Sequence, residues 1–190
     1  MQHVANQFAI KGIQTASIFD MRAKKAIELE EELQRHIRSP WGEDHRKTYL
    51  QILNELKRLF MVREHVVENL IVTVGRSVIA QRLANTTTYT GIINYGALGS
   101  GSTAVSNAQT QLATEVFRKV VASASYSTNI AFIDFFYSKA DTNGTYNEFG
   151  TFIDGTGSAN TGQMFTRVLT GGWVKTSSES MTVACQYTVS

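Results

Sequence analysis

Ser180-Met181-Thr182-Val183-Ala184-Cys185-Gln186-Tyr187-Thr188-Val189 alternates with a period of two. Met181, Val183, Cys185, Tyr187 and Val189 fall on one face, and Thr182, Ala184, Gln186 and Thr188 on the other. Strand side chains point to opposite faces in turn, so this stretch reads as a β-strand with one face turned to a core. Its composition extends back to Thr86: residues 86–190 hold 18 Thr, 12 Ser and 11 Gly but only 11 charged residues. Threonine and aromatic side chains suit a pleated, half-buried surface, and Gly, Ser and Asn clusters punctuate turns. Further strands are predicted at residues 90–98, 112–126, 129–137, 146–153 and 163–169. The run Ile130 to Tyr137 is apolar on both faces apart from Asp134, which suits a central strand. Asn143-Gly144 is a tight-hairpin signal. Short strands at this spacing predict an antiparallel β-sandwich, jelly-roll-like in form.

Upstream the chain changes character. Residues 20–68 hold 20 charges, ten of each sign. Asp20 reads as a helix N-cap, and Ala26, Leu29, Leu33 and Ile37 follow at the steps of an amphipathic helix. Ser39-Pro40-Trp41-Gly42 ends that helix. A second stripe runs through Tyr49, Ile52, Leu53, Leu56, Leu59 and Phe60. Two helices joined by so short a connection predict an α-helical hairpin inserted into a mainly β fold. An isolated helix pair is marginal in water, so these stripes need a partner: each other, the β domain or another chain. Residues 61–67 read equally as helix or as the start of a strand through Val66, Val67, Ile71 and Val72. Residues 73–84 read as a short helix with Thr73 as its cap, and residues 8–19 as one or two short strands. The expected division is an N-terminal arm and first strand at 1–20, the helical hairpin at 21–65 and a β-sandwich domain at 66–190.

The totals bound the function. Across 190 residues the net charge is +2, with 43% hydrophobic residues. The balanced helical charges give no basic face, so nucleic acid is not an expected partner. No window is apolar enough to cross a membrane as a helix, and residues 1–12 lack the apolar segment of an export signal. One cysteine, Cys185, permits no internal disulfide and sits on the core face of the last strand.

Candidate chemistry is thin, and no cofactor, metal or catalytic residue is expected. Gly99-Ser100-Gly101-Ser102-Thr103 resembles a phosphate-binding loop but lacks its lysine, so it reads as a surface turn. Asp141, Asn143, Thr145 and Glu148 resemble part of a calcium loop without the closing glutamate. His36 and His45 flank the Pro-Gly turn, yet zinc needs three or four convergent ligands. A glycosidase needs two facing carboxylates; Asp134, Asp141, Glu148 and Asp154 are available, and nothing in sequence pairs them.

Three segments carry a resemblance. They are Asn69-Leu70-Ile71-Val72-Thr73-Val74-Gly75-Arg76; Tyr95-Gly96-Ala97-Leu98-Gly99-Ser100-Gly101-Ser102-Thr103 with Thr110, Leu112, Glu115 and Arg118; and Gly144-Thr145 through Asn147-Glu148-Phe149-Gly150-Thr151-Phe152. In this order the chain resembles a β-sandwich module of tailed-bacteriophage virion proteins, fibre-like or tail-associated. Such proteins open on a strand ending in Asp, as at Gly12 to Asp20, and close on a Lys-Thr segment and a final strand, as at Lys175-Thr176 and Met181 to Val189. The resemblance covers residues 8–20 and 66–190 and fixes no catalytic residue.

The resemblance implies a non-enzymatic virion structural protein of head, neck or tail, folded in the host cytoplasm. It implies a homo-oligomer, expected as a trimer, that contacts other virion proteins. Leu29, Leu33, Ile37, Trp41, Tyr49, Leu53, Leu56 and Phe60 are the expected oligomer or partner interface. The alternative is a receptor- or glycan-binding module of a phage fibre, with Trp173 facing a host-surface glycan.

Overall fold

The alternating stretch that ends the chain forms β9 (Glu179–Val189), and its two faces are covered by different layers. The computed structural model describes residues 9–37 and 43–190. Its elements run β1 (Ile10–Asp20), α1 (Lys24–Ile37), α2 (Glu43–Phe60), β2 (Met61–Ile71), α3 (Thr73–Leu83), β3 (Ile93–Gly99), β4 (Glu115–Val120), β5 (Ser123–Ser127), β6 (Ile130–Tyr137), β7 (Gly144–Ile153), β8 (Gln163–Lys175) and β9. The fold is mainly β, with helices α1 and α2 inserted between the paired neighbours β1 and β2.

Among the described residues nine strands belong to one antiparallel sheet, in the order β4-β3-β7-β8-β2-β1-β9-β6-β5. The sheet curls, and two features of the pairing explain why. The margins β4 and β5 are consecutive in sequence, and between them the Val121 N–H donates to Asn94 O and the Ala122 N–H to Asp134 O. One chain segment thus draws both margins together. On the far side β2 pairs with β1 from Gly12↔Asn69 to Phe19↔Met61, but with β8 only at Leu70↔Arg167 and Ile71↔Thr166. Beyond that point β2 and β8 splay apart. Continuing their register would set Arg63 opposite Val174; there the guanidinium, not a backbone N–H, donates to the Val174 carbonyl at 3.1 Å.

The inner face of the curl is aromatic. Phe135 meets Phe149 at 5.8 Å between ring centroids, and Phe165 meets Tyr187 edge-on at 5.2 Å. Met181, Val183, Cys185 and Tyr187 are buried there, as the alternation predicts, with Trp173 and Tyr146. Burial pushes the Cys185 thiol far above its ordinary range, so it is an inert core side chain. Four hydroxyl and amide groups share this interior: Gln14 Nε2 donates to Thr166 Oγ1, which lies 2.8 Å from Thr151 Oγ1 and 3.4 Å from the Tyr187 hydroxyl.

Helices α1 and α2 cover the outer face of the sheet around β1, β5 and β6. Leu29, Leu33, Tyr49, Leu53 and Leu56 pack with Phe19, Ala122 and Phe136. The helices lie side by side, with Lys25 Nζ 2.6 Å from Glu55 Oε1, and the Lys139 N–H donates to Glu30 Oε1 at 2.8 Å, fixing α1 to the sheet. Each buried leucine contributes about 1.5–3 kcal/mol, which is why this layer stays down.

Several expectations need correction. The described strands pair in one curled sheet, whose two halves are joined only where β2 meets β8 at Leu70 and Ile71. Residues 61–67, readable from sequence as either element, are strand, since the β-branched Val62, Val66 and Val67 favour the pleat over another helical turn. Asp20 ends β1 and accepts the Arg22 N–H in a local turn instead of capping α1; the adjacent guanidinium lowers its carboxyl to about 2. Val72, not Thr73, is the N-cap of α3. Asn143-Gly144 leads from β6 to β7, which do not pair, so it makes no hairpin; Asn143 Oδ1 instead accepts Lys175 Nζ at 2.8 Å. The segment 112–126 is two strands, because the chain changes partners at Val121.

Candidate functional site

The residues nominated from sequence are mostly interior. Leu33, Tyr49 and Leu56 are 0% exposed, and Leu29 and Leu53 are buried with them. Ile37 and Phe60 are half-buried against the same cluster. This stripe is therefore covered by the chain's own sheet, since Phe19 on β1, Phe136 on β6 and Ala122 beside β5 offer it apolar surface at no translational cost. Trp41 lies outside the described residues. Trp173 is 0% exposed and packs 5.9 Å from Phe149, so it does not face a ligand.

The glycine-rich turn has a clear physical role. Glu148, on β7, sends its carboxylate beneath it: Oε1 accepts the Gly101 and Thr114 N–H groups, and Oε2 accepts the Ala113 N–H. A Cβ at Gly99 or Gly101 would come within 2.6 or 2.4 Å of Glu148 Oε1. The glycines admit the carboxylate, and the Gly101 N–H, a donor a phosphate would use, is already taken by the protein's own anion. Arg167 completes the site, donating from Nε to Glu148 Oε2 at 2.7 Å, from Nη1 to Gln109 Oε1 and from Nη2 to Thr103 O. Both members of the pair are 0% exposed.

A second clamp stands beside it. The Arg118 guanidinium forks onto Glu115, donates from Nη1 to Thr156 O and Thr161 O, and lies 4.7 Å from the Phe152 ring centroid. Glu115 accepts the Asn160 N–H, and Gln111 Nε2 donates to Asn160 O. The loops at 100–114 and 154–162 are thereby bound to the sheet and to each other. Sequence reasoning passed over this network. The available signal was a lone Glu148 and a lone Arg167 inside apolar strands, since charges in such places are almost always paired.

The calcium-like set does not converge: Asp141 accepts Lys119 Nζ and the Ser138 N–H, and Glu148 is engaged as above. Asp154 accepts the Thr90 N–H. Among the described residues no two of Asp134, Asp141, Glu148 and Asp154 share a hydrogen-bond donor, and no group of three or more His, Cys, Asp or Glu gathers as metal ligands. The side chain of His45 lies outside what the structure describes. No described helix is long and apolar enough to cross a membrane.

Asp134 is a separate case. It is 5% exposed, under α2, with Oδ2 unpartnered; the Tyr49 hydroxyl, Arg46 Nη1, Ser123 Oγ and Thr182 Oγ1 are unpartnered too. Ser123 faces Asp134 across the β5–β6 register, and Thr182 is a diagonal neighbour on β9. Burial raises its carboxyl to about 6, against the pull of Arg46 and Lys57 on α2. The folded state holds this proton more tightly than the unfolded chain, so the stabilisation is fully present below the ordinary value of 3.8 and is lost as pH rises through about 6. We expect Asp134→Asn to be about 3 kcal/mol more stable than wild type at pH 8 and close to it near pH 4. Paired urea titrations at the two pH values check this; a variant less stable at pH 8 would contradict it.

The last feature is the edge of β2. Over residues 61–69 one side of this strand has no ladder partner among the described residues, while Val62 and Val66 are 49% and 63% exposed. Unpaired strand edges are templates for another chain. Compared with family models, curated proteins and solved structures, the chain matches none of them.

Proposed function

We propose that this chain is a non-enzymatic structural component of a bacteriophage virion, associated with the head, neck or tail, that assembles as a homo-oligomer. In this reading the curled sheet is a variant of the sandwich module, and α1 with α2 is a hairpin laid on its outer face. The observation that carries self-assembly is the open edge of β2 with Val62 and Val66 beside it. Strand addition there would supply backbone hydrogen bonds, and the two valines would supply apolar burial. The clamped loops favour a scaffold role, because surfaces that meet fellow assembly parts must keep their shape. The virion assignment rests on the motif order described above. Immunogold labelling of purified particles with an antibody to this chain tests it: label at one particle site supports the assignment, and label only in free protein contradicts it. For the edge, Val62→Lys with Val66→Lys should shift the assembly toward monomer by about tenfold or more in dissociation constant, since desolvating two charges opposes pairing.

A receptor- or glycan-binding module remains the second reading. The rigid, hydroxyl-rich loops at 100–114 and 154–162 favour it, and glycan-array binding lost on altering those loops would select it.

A further inference from the structure

A cleft of about 670 Å³ opens between α3 and the ends of β1 and β2. Small-molecule sites typically occupy about 300–1,000 Å³ and combine apolar walls with a few polar groups. Here Ile10, Ile71, Ile79 and Leu83 line the walls, with Ala80 on the helix side and Asn69 on the strand side. Leu83 is 80% exposed, a large aliphatic side chain with little of its surface covered. The Asn69 carboxamide is the unusual group. It lies over Gly12, its register partner on β1, where a Cβ would come within 2.2 Å of Oδ1. Both Oδ1 and Nδ2 are shielded, and neither has a hydrogen-bond partner. A buried amide without partners is costly, and a side-chain rotation that brought it to the wall of the cleft it lines would give it partners without breaking a hydrogen bond. The charges around the cleft do not select an ion. Lys11 and Glu68 oppose each other in sign, and the Arg76 guanidinium is already committed to Ile71 O, Thr73 Oγ1 and Asn107 Oδ1.

We propose that this cleft binds a small neutral ligand with an aliphatic body and an amide-like edge, a primary carboxamide or a lactam. Such an edge presents one donor and one acceptor side by side and pairs with both ends of the Asn69 amide. The aliphatic body replaces water against Ile10, Ile71, Ile79 and Leu83. The site does not rest on the virion assignment, and it shares only Glu68 and Asn69, at the end of the strand, with the open β2 edge.

Hexanamide and ε-caprolactam are the probes, with methylcyclohexane as a body lacking the edge, followed by two-dimensional NMR on the intact chain. The expected result is saturable shifts centred on Asn69 and its α3 neighbours. Asn69→Leu should weaken hexanamide about tenfold, the worth of one or two hydrogen bonds, and leave methylcyclohexane no weaker. Ala80→Trp sits at an exposed helix position, so it fills the cleft without touching the core and should abolish binding of all three. Absence of saturable shifts in wild type, shifts centred elsewhere, or equal hexanamide affinity in wild type and Asn69→Leu would overturn the proposal. Should Asn69→Leu fail to fold, loss of all binding in folded Ala80→Trp, with hexanamide tighter than methylcyclohexane in wild type, supports it; unchanged binding in Ala80→Trp overturns it.

Discussion

Glu148→Ala will destabilise the protein by about 3–5 kcal/mol, the usual cost of removing one partner from a buried ion pair. The variant strands the Arg167 guanidinium in a site where both residues are 0% exposed, and it frees the Gly101, Ala113 and Thr114 N–H groups together. Urea unfolding measures the loss. Hydrogen exchange gives its location: the amides of 101, 113 and 114 should lose protection before the β1–β9 ladder does. Glu148→Met with Arg167→Met should recover part of the loss, because two apolar side chains leave no uncompensated charge. Stability within about 0.5 kcal/mol of wild type, the range of an ordinary surface change, would show that the clamp does not hold these loops.

Leu56→Asp has the second large effect. Leu56 is 0% exposed among Leu29, Leu33, Leu53 and Phe136, so the substitution removes an apolar group and buries a carboxylate with no partner. A loss above about 4 kcal/mol is expected, enough to detach or unfold the helical layer in a domain of ordinary stability. Leu59→Asp is the internal control. It lies one turn away on the same helix at 39% exposed, and should cost under about 1 kcal/mol. Circular dichroism melts of both variants decide the matter. Equal melting temperatures would mean that the α2 stripe is not seated on the sheet.

Period and composition made the elements legible. The alternation in β9 predicted its inner face from Met181 to Tyr187, though Val189 at its end is 39% exposed, and the steps through Leu29, Leu33, Leu53 and Leu56 predicted two buried helical stripes. What covers those stripes was not legible, because an amphipathic face specifies burial and not the burying surface. The same limit explains Trp173, whose large ring suits a sugar platform and a core equally well. Topology was less readable still. The curl depends on β4 and β5 being one segment that changes partners at Val121, and on β2 leaving β8 after two paired residues. Those are long-range pairings with no local signature. The Glu148–Arg167 clamp joins positions 19 apart with Gly99 and Gly101 making room, so its parts were visible singly while their convergence was not.

Self-association is the central claim, and the solution mass of the purified chain tests it most directly. Light scattering across a size-exclusion peak at micromolar concentration should return a multiple of 21.1 kDa, with three copies expected. A constant 21.1 kDa across the peak at every loading would contradict it.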